Sequence, residues 1–162
     1  MNTEDLSDLP DWEDDLSLTQ SAGMAFPDAT RVACKALYKQ WQEVVFLLKG
    51  ILMPVLEGDD YEDSLLRDIA HHMLGDALRI GSKIKSSEAG RIYILRMENA
   101  AFVRMAAQGI ATALMMFSEE QSVDKTHIRI VRNEIDTFRQ MFIRWVRTFE
   151  RDGIRDEWGL FA

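Results

Sequence analysis

One of the three histidines in this chain lies at helical spacing from two carboxylates. Asp68, His72 and Asp76 follow one another at steps of four, which places them on one flank of a helix. Glu98 and Asn99 interrupt the apolar run of the next predicted helix. Helical bundles build metal sites from carboxylates and histidines on facing helices, but no glutamate here precedes a histidine by three residues, as ferritin-like sites need. We therefore interpret the flank as ion pairs and Asn99 as a buried polar residue that sets register, and we expect no metal or cofactor.

A second histidine pattern begins at His71, which a helical wheel directs away from the apolar stripe of its own helix. Gly75 follows at +4, and Ile80 and Gly81 follow at +9 and +10. These residues resemble the phosphoacceptor helix of histidine phosphotransfer domains, which are four-helix bundles; Leu74 stands where that family usually has a lysine. The resemblance implies an alternative function, a phosphotransfer carrier with His71 as phosphoacceptor and Gly75 beside it. The structural interpretation is an exposed histidine near glycines that lie where a side chain would obstruct packing.

Arginines recur along the last predicted helix. Arg144, Arg147 and Arg151 follow at steps of three and four, Arg155 comes next, and Arg129 projects at a similar angle. This row lies opposite the apolar stripe of its helix, where it could bind the phosphates of a nucleic acid or the acidic segment of the same chain. Because acids interrupt and follow the row, we favour a solvated face with weak ion pairs. Tail docking is the first alternative, and a nucleic-acid accessory function is the second.

Four predicted helices position these side chains, over residues 28–56, 60–84, 87–118 and 123–152. In the first and last, apolar residues alternate at steps of three and four, the stripe of a helix packed on a partner helix. The stripes are Cys34, Leu37, Trp41, Val44, Leu48, Ile51 and Val55, and Ile128, Val131, Ile135, Phe138, Phe142, Trp145 and Phe149. Short connections require antiparallel neighbours. The sequence predicts an all-α fold, an antiparallel up-down-up-down four-helix bundle over residues 28–162.

Capping residues predict the ends of these helices. Asp28 and Thr30 are candidate N-caps for the first, and Pro54 should end it near residues 57–58. Ser122 is the expected N-cap of the fourth helix, and Gly153 is placed to terminate it.

The third predicted helix is apolar around much of its circumference, so its periodicity is weak. The predicted inner face comprises Ile92, Leu95, Phe102, Ala106, Ala113, Met116 and Phe117. Ala101, Met105, Ala107, Ala111 and Leu114 extend the apolar surface beyond that face. A helix of this kind lies centrally or meets another subunit.

Residues 1–27 differ from the rest of the chain in charge. They contain seven acids and no lysine or arginine, so almost all of the net charge of −8 lies in this segment. Its acids are interleaved with the apolar residues Leu6, Leu9, Trp12 and Leu16. This composition is typical of a disordered acidic tail that becomes ordered on a partner's groove. The alternative is a solubilising tail whose Trp12 packs loosely on its own bundle.

Composition narrows the class of protein further. The single cysteine, Cys34, cannot form an internal disulfide and lies on a core stripe, where thiols are inert packing. The N-terminus has no basic start or apolar run of a secretory signal, and the richest apolar stretch, residues 44–56, is shorter than the roughly 20 residues that span a bilayer. We expect a cytoplasmic protein with no membrane segment.

The chain is also similar to small uncharacterised bacterial helical-bundle proteins that have an aromatic-rich last helix and end in Trp-Gly-Leu-Phe, here Trp158-Gly159-Leu160-Phe161. This resemblance implies only a fold, and we expect the terminal segment to fold back over the end of the bundle. The favoured hypothesis is a non-enzymatic bundle that binds protein partners through its acidic tail and its apolar third helix, and that self-associates through that helix.

Overall fold

The structure is a computed structural model that describes residues 8–13, 28–59, 64–89, 91–120 and 123–161. Most of them lie in four α-helices: α1 is Ala29–Glu57, α2 is Leu65–Ser86, α3 is Tyr93–Ser118 and α4 is Lys125–Val146. The described ranges contain no strand. The predicted all-α four-helix fold is confirmed.

Two buried hydrogen bonds show that α1 and α2 are antiparallel. The thiol of Cys34 donates to the carbonyl of Ile84 over 3.3 Å, and the indole N–H of Trp41 donates to the carbonyl of Ala77 over 2.8 Å. Between these two contacts the chain advances seven residues along α1 and goes back seven along α2. The two helices therefore run in opposite directions with the same rise per residue, as in adjacent antiparallel helices of a bundle.

Two further hydrogen bonds show that α1 and α4 are also antiparallel. The hydroxyl of Thr30 donates to the carbonyl of Thr148 over 3.0 Å, and the amide of Gln40 donates to Glu134 Oε2 over 2.7 Å. α2 also packs against α3, while the contact between α3 and α4 is the least extensive. The four helices therefore form a ring in chain order, as the up-down-up-down prediction requires.

The core consists of the two predicted stripes and the residues that face them. All seven residues of the α1 stripe are buried, and in the α4 stripe only Phe142 and Phe149 are partly exposed. At the centre, the rings of Trp41 and Phe138 have centroids 4.6 Å apart. Near the end of α4, Trp145 meets Phe149 edge-on at 4.8 Å. Such pairs add about 0.5–1.5 kcal/mol to the effect of burial.

Both ends of α1 lie close to their predicted positions. The carboxylate of Asp28 accepts the backbone N–H of Thr30, as an N-cap does. The helix continues through Pro54, and the N–H of Gly58 then donates to the Pro54 carbonyl.

α2 and α3 begin later than predicted. Ser64 caps α2, and residues 60–63, where its start was predicted, lie outside the described ranges. α3 begins at residue 93 and not at 87, because the hydroxyl of Ser87 donates back to the last turn of α2 and Arg91 has a φ of 54°. A left-handed residue cannot continue a right-handed helix. The first turn of α3 receives its cap from far along the chain, since Asp152 accepts the N–H of Tyr93.

The bounds of α4 also correct the prediction. Its N-cap is Asp124, whereas the predicted cap, Ser122, lies outside the described ranges. The helix ends at residue 146, six residues before its predicted end and well short of Gly153. The hydroxyl of Thr148 donates to the carbonyl of Trp145 and so satisfies the last turn.

The predicted inner face of α3 is wrong in part. Met116 is 48% exposed, and four other residues predicted to face inward, Ile92, Leu95, Phe102 and Ala113, are only partly buried. The buried residues are Arg96, Asn99, Ala100, Val103, Ala106, Ala107, Ile110, Leu114 and Phe117. Because the helix is apolar nearly all round, hydropathy did not identify the inner face, which includes two polar side chains.

Arg96 joins four segments at one end of the bundle. Its guanidinium lies 3.4 Å from both carboxylate oxygens of Glu88 in the α2–α3 turn and 3.9 Å from Asp28 Oδ2 at the start of α1. It also lies 6.0 Å from the ring centroid of Phe149, just after α4. The side chains of Arg96 and Glu88 are only 7% and 6% exposed. Removal of one member of such a pair leaves a buried, uncompensated charge.

We therefore expect Arg96→Met to lower the free energy of unfolding by about 3–5 kcal/mol, since Glu88 loses its counter-ion. Adding Glu88→Gln should restore part of that loss. Chemical denaturation of both variants measures these effects, and Arg104→Met, at an exposed arginine of the same helix, is the control. Equal stability of the Arg96 and Arg104 variants would contradict the expectation.

Candidate functional site

Part of the acidic tail lies in the groove between α1 and α2. We call residues 8–13 the strap; it runs antiparallel to α1. Near one end, Asp8 pairs with Lys49 Nζ at 2.6 Å. In the middle, the carbonyl of Pro10 accepts hydrogen bonds from the hydroxyl of Tyr38 and the amide of Gln42. The strap is thus held through its backbone as well as its side chains.

Leu9 of the strap occupies a notch made by a glycine of α2. A Cβ atom built on Gly81 would lie 2.5 Å from Leu9 Cδ2, closer than any real contact. Gly75, six residues earlier, is different, because its nearest neighbour would be the guanidinium of Arg79 at 3.8 Å, an ordinary contact. The expectation that each glycine avoids an obstruction is confirmed for Gly81 and wrong for Gly75.

Trp12 is the second apolar anchor of the strap. Its ring meets that of Tyr38 edge-on, with centroids 5.6 Å apart, and the guanidinium of Arg31 lies 5.8 Å from its centroid. Between the two anchors, the ammonium of Lys85 donates to the carbonyl of Asp11 over 3.2 Å. A cationic rim therefore borders an aromatic and aliphatic floor, which is suited to an extended acidic chain.

Two of the four predicted anchors, Leu9 and Trp12, are half-buried on the protein's own bundle. The other two, Leu6 and Leu16, lie outside the described residues. The groove residues were not identified from the sequence; Gly81 was the available signal, because a glycine inside a helix needs a reason.

His71 is exposed, as the helical wheel predicts, and so is its neighbour His72. The space at Gly75 is open, while Ile80 is fully buried and Gly81 lies beneath the strap. The imidazole of His71 is thus accessible, although two residues of the matched pattern serve packing.

Among the described residues, the predicted row of ion pairs on α2 is represented by one pair. Asp76 pairs with Arg79 at 3.2 Å, while Asp68 and His72 are exposed. Across the described part of the chain, no three His, Cys, Asp or Glu side chains are grouped to hold a metal ion. Asn99 is buried, as predicted, and donates to the hydroxyl of Ser86 over 3.3 Å, while its role in setting register stays a prediction.

The predicted arginine row is not continuous, because α4 ends at residue 146. Arg129 and Arg144 are exposed on the helix, and Arg147 is its C-cap. Arg151 and Arg155 follow in non-helical chain, and Arg151 lies over the ring of Tyr93 at 5.7 Å. Anion binding by these arginines stays a prediction.

A cleft of about 350 Å³ opens where α3 and α4 pack least extensively. Its apolar lining includes Ala111 and Phe142, and three arginines border it, Arg104, Arg132 and Arg139. These arginines were not predicted from the sequence, although the seven-residue step from 132 to 139 places two of them on one helical face.

The outward face of α3 is exposed, and over residues 105–118 it carries no charge. Met105, Met115 and Met116 are 62%, 54% and 48% exposed, and no charged residue occurs between Arg104 and Glu119. By length and composition alone, this is the one helix in the described ranges that could cross a membrane. Within the bundle, its other side is packed against α2 and α4.

The thiol of Cys34 is fully buried and donates to the Ile84 carbonyl. Burial raises its pKa far above the ordinary value of 9.0, and Glu88 adds to the effect. A neutral, inaccessible thiol is a poor nucleophile.

The expectation that the terminal segment folds over the bundle is wrong. Trp158 is 94% exposed and Leu160 is 75% exposed. The carboxylate of Asp156 accepts the backbone N–H groups of Trp158, Leu160 and Phe161, so the segment closes on itself as a turn. These hydrogen bonds lower the pKa of Asp156, and the bond from the N–H of Phe161 has the largest effect.

No protein-family model matches the chain, and no curated protein or solved structure matches it either.

Docking of the strap should be visible in the ionisation of Tyr38. Burial raises the pKa of Tyr38 above its ordinary value of 10.0, and the negative charge of Asp11 adds a smaller effect in the same direction. Because only the neutral phenol donates to Pro10, the contribution of this bond is present below pH 10 and is lost as the pH rises through the raised pKa. Leu9→Ser combined with Trp12→Ala should move the pKa of Tyr38 back towards 10.0. Phenolate absorbance follows the titration.

A Tyr38→Phe variant identifies which part of the absorbance belongs to this residue. If the double substitution in the strap leaves the Tyr38 titration where it was, the strap does not cover this side chain in solution.

Proposed function

We propose that the protein is a non-enzymatic, cytoplasmic helical bundle that acts through protein–protein interaction, with the acidic N-terminal tail and the outward face of α3 as binding elements. The observation that carries this proposal is the α3 face, whose three exposed methionines lie in a stretch of fourteen residues without charge, 105–118. Gln108 and Thr112 are also exposed on this face, so it is uncharged and partly apolar. Exposed apolar side chains grouped on one surface mark interaction sites, and methionine side chains adapt to the surfaces they meet.

The occupant that we propose for this face is a second copy of the chain. In a two-fold pair the same patch meets itself, so a charge near the axis of the pair would face its like. The α3 face has no charge between Arg104 and Glu119, and a symmetric pair therefore carries no repulsion at its centre. Oligomer formation of this type explains why an apolar helix has one side exposed in the single chain.

Met105→Glu should therefore convert an oligomer of the full chain into monomer, because each copy would place a carboxylate in an interface that is otherwise uncharged over residues 105–118. Analytical ultracentrifugation measures the change. Phe46→Glu is the matched control, since Phe46 is 74% exposed but lies on α1, away from the proposed interface. A wild-type chain that is monomeric at high concentration, or that binds lipid vesicles through this face, would contradict the proposal.

A second candidate function is histidine phosphotransfer, favoured by the exposure of His71 beside the open space at Gly75. In this function an imidazole nitrogen of His71 attacks the phosphorus of an aspartyl phosphate on a receiver domain, and the aspartate carboxylate leaves. Solvent access on this flank of α2 meets the first requirement of that reaction.

Under this candidate function, a phosphorylated receiver domain should label the full chain with acid-labile phosphate, and His71→Gln should abolish the labelling. His72→Gln, the same change at an adjacent exposed histidine, should retain it. Equal labelling of the parent chain and the His71→Gln variant would exclude His71 as phosphoacceptor.

A further inference from the structure

The α1–α2 groove has the features of a peptide-recognition site, seen here with an occupant. Hydrogen bonds from Tyr38 and Gln42 to a backbone carbonyl hold the chain without regard to its side chain at that position. The notch at Gly81 takes a leucine, and the space between Tyr38 and Arg31 takes an aromatic ring. In peptide-recognition sites, hydrogen bonds to the backbone of the extended peptide provide affinity, and pockets for its side chains provide specificity.

The charge around the groove specifies the ligand further. Lys49 pairs with the carboxylate that precedes the leucine, and Lys85 binds the backbone next to the aromatic residue. The strap contributes three acids and no base over its six residues. The basic groove and its acidic occupant are complementary in charge, so the groove should bind acidic peptides in preference to basic ones.

The strap is only partly buried in the groove, so another ligand can displace it. Asp8, Pro10, Asp11 and Glu13 are exposed, and its two anchors are only half-buried. A cleft of about 560 Å³, lined by Leu78 and other α2 residues, remains open beside it. Fifteen residues, 14–28, connect the strap to α1, so it binds as a tethered ligand at high effective concentration. A weak tethered ligand fills a site until a tighter free one competes.

We propose that this groove is a binding site for a partner protein that presents an extended acidic segment with an acid, leucine, proline and, two residues later, an aromatic residue, and that the strap occupies the groove in cis until this partner displaces it. The inference deepens the proposed function and rests on it, since it names the partner class of a second surface. It uses no residue of the α3 face.

The test uses the full chain and a labelled synthetic peptide with the sequence of residues 5–16. In a released variant, Leu9→Ser with Trp12→Ala, the groove is vacated, so fluorescence anisotropy should show saturable binding of the peptide. The wild-type chain should bind it about tenfold or more weakly, because apparent affinity falls with the fraction of molecules whose groove is empty.

Two glycines of the same helix supply the specificity control. In the released variant, Gly81→Ala should weaken peptide binding, since its Cβ would push the end of the leucine side chain out of the notch. Gly75→Ala should leave binding unchanged, because the nearest atom is at 3.8 Å. Both replace a helical glycine by alanine, so circular dichroism should show that both variants remain folded.

Each result supports or overturns the proposal. A released variant that does not bind the peptide, or binding that Gly81→Ala leaves intact, overturns it. An oligomer that Gly81→Ala dissociates and Met105→Glu does not would make a second copy the occupant and would overturn assignment to a separate partner. Because the oligomer test concerns only α3, failure of peptide binding leaves the proposed self-association standing, and the reverse also holds.

Discussion

The arrangement of this bundle depends on the need to pair one buried cation. A guanidinium that is 7% exposed has lost most of its hydration, so Arg96 is tolerated only where a carboxylate and a ring replace the water. Glu88, Asp28 and Phe149 supply these contacts from the α2–α3 turn, the start of α1 and the segment after α4. One side chain of α3 thereby contacts three other segments at this end of the bundle.

The same constraint explains which parts of the fold were predictable. The stripes of α1 and α4 separate apolar from polar residues, so their buried faces follow from periodicity alone. On α3 apolar residues occupy much of the circumference, and the inner face includes Arg96 and Asn99, whose partners Glu88 and Ser86 lie before the helix. A hydropathy scale predicts that Arg96 and Asn99 are exposed. In the structure a counter-ion stabilises the buried Arg96, and a hydroxyl group stabilises the buried Asn99. Hydropathy therefore predicted the helix and misplaced its face.

Helix ends and the tail show a similar division between local and distant causes. Asp28 caps the helix that begins beside it, and the sequence was sufficient to find it. The first turn of α3 is capped by Asp152, fifty-nine residues away, and no local pattern indicates such a cap. Gly81 belongs to both groups: the glycine is visible in the sequence as a break in helix propensity, but Leu9, which explains it, lies seventy-two residues earlier in a segment with no periodicity of its own.

The positions of the two proposed binding surfaces follow from the ring order of the helices. α1 packs between α2 and α4, so α3 lies diagonally opposite α1, and its outward face points away from the strap. The groove uses Tyr38 and Gly81, whereas the α3 face uses Met105 and its neighbours, and no residue is shared. Surfaces without shared partners contribute independently to binding free energy. If both proposals hold, a second copy and an acidic peptide would bind at the same time, and the protein would link two partners rather than select between them.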